Sequence, residues 1–409
     1  MSHPQPLGLK KSFGFGDRLG VATPGHLASA KKSDFAPIFA QQSIREMTRT
    51  QRTPEEVMDA AAQALDKAGF KEIWGADADH LKTPEDIQAT AAAGFVFFTI
   101  DPSSYVNNAA DAMAGDVLNR LARQIEREEL FRSSDYLGKS FEIGGSRLSF
   151  DEESLFRAAV KYGRAIAHSA NMAAEIIRHR TDADIEISVD ETDFATTPLE
   201  HLFVAHELQR RGVRVTSLAP RFVGEFEKGI DYKGDMAEFD RQLKMHVDIA
   251  RQFGPYKISI HSGSDKFAVY PAIGRICGEL LHVKTAGTSY LEALRAVCRA
   301  DPALFAEIAA YSHARFATDR ASYHISTTEA EVAAIANASA SDAERLYLDE
   351  RPGRQLLHVT FGSVLTKGAR ANGQSFRAAV LETLQIHSAL HDELLEKHFD
   401  RHLGLLNAG

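Results

Sequence analysis

Two hydrophobic rhythms alternate along the chain. Short runs of period two read as strands, and longer stretches with apolar residues three and four apart read as helices. The two most informative strands are consecutive. In residues 256–266, Ile258 and Ile260 share one face while Lys257, Ser259 and His261 share the other. In residues 280–288, Leu281 and Val283 oppose His282 and Lys284. Strands covered on both sides in α/β proteins are normally near-continuous apolar runs. A His and a Lys opposite the aliphatic face therefore predict two barrel staves with a polar inner side.

Upstream, strand-like runs fall at residues 18–23, 38–43, 73–80, 95–100, 185–190 and 215–222. Helices separate most of them. Three of these open on a Thr-Pro pair with an acid two residues after the Pro: Thr53-Pro54-Glu55-Glu56, Thr83-Pro84-Glu85-Asp86 and Thr197-Pro198-Leu199-Glu200. Each supplies a hydroxyl N-cap, Pro at the first helical position and an acid placed to close a capping box. This strand–helix–strand spacing predicts parallel pairing with helices outside. Residues 103–150 interrupt it with a charged segment ending at Gly144-Gly145, read as a helical insertion and a candidate lid. After residue 290 the pattern is helical, with an ambiguous apolar run at residues 355–363 as a ninth strand candidate. Eight strands ending at Thr285 suit a single TIM-type (β/α)8 barrel over residues 1–409, with the 103–150 insertion and a helical C-terminal extension from 290. An open doubly wound sheet is the rival, and no Gly-x-Gly-x-x-Gly follows an early strand to support it.

Composition narrows the chemistry. A net charge of −9 argues against a nucleic-acid backbone binder. Cys277 and Cys298 lack metal-site spacing, so neither a disulfide framework nor a zinc knuckle is expected. No apolar run reaches membrane-spanning length, and residues 1–4 lack the apolar core of a signal peptide. A soluble cytoplasmic protein, compatible with homo-oligomerisation, is the expectation.

In a (β/α)8 barrel the functional groups lie at strand C-termini. Collected there are Asp77, Asp79, His80, Asp101, Glu186, Asp190, Glu191, Arg221, Glu225, Glu227, His261, Lys266, His282 and Lys284. Histidines and carboxylates spread over several strands suit a divalent metal with open positions; Mn, Fe, Co, Ni and Zn all accept such ligands. Lys and Arg beside them suit an anionic substrate. Each residue also has a plainer reading. Asp77 and Asp79 can cap the following helix, and Glu225, Glu227 and Lys228 read equally as a solvated loop. His168, His201, His206, His246 and His324 fall on helices or their ends and read as structural or exposed. Glu186 is more telling, because an inward, buried carboxylate demands a partner or a role.

Several long stretches resemble the tagaturonate/fructuronate epimerase family. They include Ser12-Phe13-Gly14-Phe15-Gly16-Asp17-Arg18-Leu19-Gly20, Gly75-Ala76-Asp77-Ala78-Asp79-His80 and Ser188-Val189-Asp190-Glu191-Thr192. Glu227-Lys228-Gly229-Ile230-Asp231-Tyr232, Ile260-His261-Ser262-Gly263-Ser264-Asp265-Lys266 and His282-Val283-Lys284-Thr285-Ala286-Gly287-Thr288 continue the likeness. It runs from residue 12 onward; family members usually carry a further domain-sized segment before the barrel. The resemblance implies a divalent-metal epimerase of hexuronate catabolism that interconverts D-tagaturonate and D-fructuronate. It implies Asp79 as proton acceptor, Glu186 as proton donor, and His80 and His261 as metal ligands. Glu227 is the third ligand it implies, with Glu225 and His282 as contenders. Asp190, Arg221, Lys266, His282 and Lys284 are expected to contact the substrate. The alternatives are a metal-dependent ketose 4-epimerase, aldolase or isomerase on the same barrel, and a non-catalytic sugar-acid binding protein.

Overall fold

The computed structural model describes residues 3–409. Its centre is a closed barrel of eight parallel strands. They are β1 (Ser12–Gly16), β2 (Ala36–Ser43), β3 (Gly75–Leu81) and β4 (Phe97–Ile100). A small antiparallel hairpin, β5 (Phe141–Ile143) and β6 (Ser146–Leu148), lies outside the barrel. The barrel resumes with β7 (Asp184–Val189), β8 (Ser217–Pro220), β9 (Lys257–Ile260) and β10 (Leu281–Thr285), and β10 closes on β1. All three Thr-Pro helix starts form the capping boxes their sequences encode.

Two strand assignments change. The first strand is residues 12–16, and residues 18–22 form a turn whose amides of Leu19, Gly20 and Ala22 converge on the Asp17 carboxylate, leading into the helix Thr23–Ala30. The real strand hides from a hydrophobic reading because its inward positions are Ser12, Gly14 and Gly16. A Cβ on Gly16 would sit 2.5 Å from the Ala286 Cα, so glycine lets β1 approach the end of β10. Its outward Phe13 and Phe15 pack against Phe35, Phe39 and Phe399. The ninth candidate, at 355–363, lies inside the helix Arg351–Lys367. Its apolar residues are buried among the C-terminal helices, which form a second apolar cluster beside the barrel's own.

The 103–150 segment contributes the helix Gly115–Arg127 and the β5–β6 hairpin. Tyr136 anchors it to the outer helix Pro198–Arg210 through His206 and Glu207, and Asn108 accepts the Asp193 amide in the loop after β7. No helix among the described residues is long and apolar enough to cross a membrane.

Candidate active site

The barrel interior is layered along its axis. Near the N-terminal ends of β1, β9 and β10, Lys257 Nζ donates to the Ser12 hydroxyl at 2.9 Å, and His282 Nδ1 lies 2.9 Å from the same oxygen. Phe97 packs 5.2 Å from the His282 ring. Burial drives the His282 pKa well below its ordinary value, so the ring is neutral.

One layer higher, Lys284 sits in a cage of carboxylates: Asp77 at 2.7 Å, Asp79 at 2.9 Å and Glu186 at 2.8 Å. The Thr99 hydroxyl bridges the cage, accepting from Lys284 and donating to Asp77. Burial opposes the Lys284 charge, but the three acids outweigh it and raise its pKa. Asp77 is pushed up to about 7 by burial despite Lys284. Asp79 goes the other way. Burial would raise it, yet His80, Lys284 and His261 hold it down at about 2.

At the strand C-termini, His261 Nε2 lies 2.6 Å from Glu186 and its Nδ1 3.3 Å from Asp190. His80 Nδ1 lies 3.3 Å from Asp101, and the two imidazole rings are 5.1 Å apart. Strict alternation would turn His80 outward, next to an inward Asp79. Instead the β3–β4 register shifts between Ala78 and Leu81, and His80 adopts φ of +55°. A bulge of this kind re-aims a side chain, and a non-glycine residue in the left-handed region is a cost that clusters at functional sites. It brings Asp79 and His80 together at one cavity.

That cavity, of about 320 Å³, opens at the C-terminal mouth. Asp79, His80, Asp190, Arg221, His261 and Lys284 line it, with Glu191, Lys228 and His358. Asp79, His80 and His261 each present a ligand atom within 4.8 Å of the others, and His80, Asp101 and Glu191 form an overlapping group. The Nδ1 atoms of His80 and His261 are buried, and the carboxylates 3.3 Å from them, Asp101 and Asp190, lie off hydrogen-bond geometry. Surrounding acids raise both imidazoles against burial: His80 to about 9, chiefly through Asp79, and His261 to about 10, chiefly through Asp190. A site that pulls protons onto two imidazoles is short of positive charge. With nitrogen and oxygen donors already clustered, it fits a divalent cation.

Other expected residues are engaged by the protein itself. Glu227, expected as the third ligand, turns away from the cavity: it accepts from the Ser326 amide at 2.7 Å and Gln355 at 2.8 Å, and pairs with Lys233 at 3.0 Å. Lys266, expected at the substrate, is buried with its ammonium on the carbonyls of Glu227, Ile230 and Ser264. His282 belongs to the lower layer, and Glu225 pairs with His324 at the rim. Arg221 lines the cavity but donates to the Thr192 carbonyl. A further metal-like group, Asp265, His398 and His402, is engaged internally: Arg354 holds Asp265 at 2.6 Å, and His402 Nε2 accepts the Asp265 amide.

Cavity residues missed from sequence are Arg18, Arg45, Lys228, Tyr323 and His358. Arg18 was hidden by its misassigned strand; it forms a buried pair with Glu46 at 2.6 Å and stacks over Phe361. Lys228 was read as part of a solvated loop, although the adjacent Gly229 signalled a turn.

Residues 1–406 match the family model described as UxaE, tagaturonate epimerase. The tagaturonate/fructuronate epimerase of Thermotoga maritima is 47% identical over 404 residues, spanning 98% of this chain and 82% of that protein. A glycerol-complexed crystal structure of the fructuronate-tagaturonate epimerase UxaE from Cohnella laeviribosi superposes with a TM-score of 0.94 at 39% identity. It covers 99% of this chain and 83% of that one. The native structure of the same enzyme gives 0.92 at 40% identity, with the same coverage. On a match of this extent, the chain belongs to the tagaturonate epimerase family.

Proposed function

We propose that this chain interconverts D-tagaturonate and D-fructuronate at the barrel mouth, with a divalent cation held by His80 and His261 beside the carboxylate of Asp79. The observation that carries the reading is the convergence of those three residues and Lys284 on one cavity, with Glu186 buried directly behind it against His261 and Lys284, within a chain of this family.

The two substrates differ at the carbon β to the ketone, where the C–H bond gains no acidity from that carbonyl. Cleaving and remaking a carbon–carbon bond avoids the difficulty. Asp79, ionised at neutral pH, accepts the proton of the hydroxyl at the epimerised carbon. The bond between that carbon and its neighbour next to the ketone then breaks. Its electrons go to the enediolate fragment, and the other fragment becomes an aldehyde. The aldehyde turns over, the enediolate re-adds to its other face, and the new alkoxide takes a proton. Asp79 passes the proton it took to Glu186 through the Lys284 ammonium that touches both, and Glu186, 2.6 Å from His261 and 2.8 Å from Lys284, returns it. Lys284 touches both Asp79 and Glu186 and fixes their separation. A bound divalent cation would supply Lewis-acid stabilisation of the developing oxyanion, worth several kcal/mol.

NMR of metal-loaded protein with D-tagaturonate tests the reading. D-fructuronate signals should grow to an equilibrium mixture. Release of three-carbon fragments without the epimer would make the chain an aldolase instead.

A further inference from the structure

The uronates carry a carboxylate, and the cations expected to bind it are committed elsewhere. Lys284 faces three acids, and Lys266 has its three ammonium donors on three backbone carbonyls. Arg18 is held by Glu46, Arg45 pairs with Glu191 at 3.2 Å, and Arg221 is turned onto the Thr192 carbonyl. Lys228 differs. Its ammonium reaches the cavity and donates to the Ser262 hydroxyl, one residue beyond His261. It forms no ion pair among the described residues, and an ammonium has three donors. Two are therefore free for a ligand.

The loop behind Lys228 is built to hold it. The Glu227 carbonyl takes Lys266 Nζ at 2.9 Å, the Lys228 carbonyl takes Gln355 at 3.2 Å, and the Gly229 carbonyl takes Arg354 at 2.7 Å. Three consecutive carbonyls are thus fixed by three side chains, while the Glu227 carboxylate is fixed by Ser326, Gln355 and Lys233. This accounts for Glu227 and Lys266: they frame the loop and do not line the cavity.

We propose that Lys228 is the anchor for the substrate carboxylate. The inference rests on the sugar-acid reading above. In the cleavage route the carboxylate rides on the aldehyde fragment, which must turn over between bond breaking and re-addition. A lysine ammonium is a compact point charge, whereas arginine grips a carboxylate through a planar fork. A point anchor lets the fragment rotate while keeping it in the cavity.

Competitive inhibition by D-mannonate, which has the uronate carboxylate but no ketone to turn over, tests this without requiring catalysis. For Lys228→Met we expect the Ki to rise roughly 30-fold or more, the loss typical when one partner of a buried charge pair is removed. Lys228→Arg should recover most of the affinity, and D-mannitol should show no comparable change. Thermal unfolding of both variants establishes that they are folded, and direct calorimetric titration replaces inhibition if turnover is absent. An unchanged Ki for Lys228→Met overturns the proposal, as does a larger loss from Arg221→Gln. Tight D-mannonate binding by a wild-type protein that does not epimerise D-tagaturonate would sink the proposed reaction and leave the anchor standing.

Discussion

Removing the ammonium at the centre of the barrel exposes how the interior is balanced. Lys284→Met keeps much of the side-chain volume but leaves Asp77, Asp79 and Glu186, all within 2.9 Å of the lost nitrogen, facing one another. Breaking a buried pair by deleting one partner costs about 3–5 kcal/mol. Unfolding entropy near 2.1 cal/mol/K per residue, over 409 residues, gives roughly 0.9 kcal/mol per degree. The expected loss is therefore about 3–6 °C in Tm. The sign of its pH dependence follows from the acids. Without Lys284 their folded-state pKa values rise above the unfolded ones. The penalty is then full above those raised values and vanishes below the ordinary carboxylate range. The Tm deficit should be largest near pH 8 and shrink toward pH 5. Calorimetry or circular dichroism of chelator-treated wild type and variant across that range is the assay. A deficit below about 1 °C, or one that does not change with pH, would refute the balance described here. Lys284→Met with Asp77→Asn should recover part of the loss, because one of the three charges is then gone.

Three other outcomes are expected. Elemental analysis should find about one divalent ion per chain in wild type and far less in His80→Ala and His261→Ala; His168→Ala, whose ring stacks on Tyr105 outside the cavity, should keep it. Asp79→Asn and Glu186→Gln should keep their fold and lose about 10²–10⁴-fold in turnover, as positioned acid–base groups do; a nearly intact rate in the folded Glu186→Gln protein would make that residue structural. Glu227 is held at about 2 against the burial that would raise it, by Gln355, Ser326 and Lys233, so its stabilisation is present above the ordinary carboxyl pKa and lost as pH falls toward 2. Glu227→Gln should cost about 2 °C at pH 7 after allowance for solvent screening, a gap that closes as the pH approaches 3 in thermal melts.

Much of the barrel was legible because its signals are local. The Thr-Pro caps and the alternation in β7, β9 and β10 depend only on neighbouring residues. The misses share a different cause. β1 shows glycines where a strand normally shows aliphatics, because its constraint is the distance to Ala286. Residues 355–363 form too short an apolar run to separate strand from helix by period. In the site, inward parity correctly located Glu186 and Lys284 on the barrel axis. Parity could not foresee the bulge that turns His80, since a register shift between β3 and β4 leaves no mark in β3 alone. Nor could it separate Lys228 from Lys266. Both follow a strand or loop of similar composition, and only tertiary contacts decide that one ammonium meets carbonyls while the other meets the cavity.

Barrel closure also has a consequence in time. Ser12 on β1 pairs with His282 on β10, 270 residues later. At translation rates of about 5–20 residues per second, β1 waits roughly 14–54 s for its last neighbour to be synthesised. The helix Ser388–Asn407, which supplies Phe399 to cover Phe13 and Phe15, arrives later still. A nascent chain ending before Leu281 thus carries two open sheet edges, at β1 and β9, and such edges recruit strands from other chains.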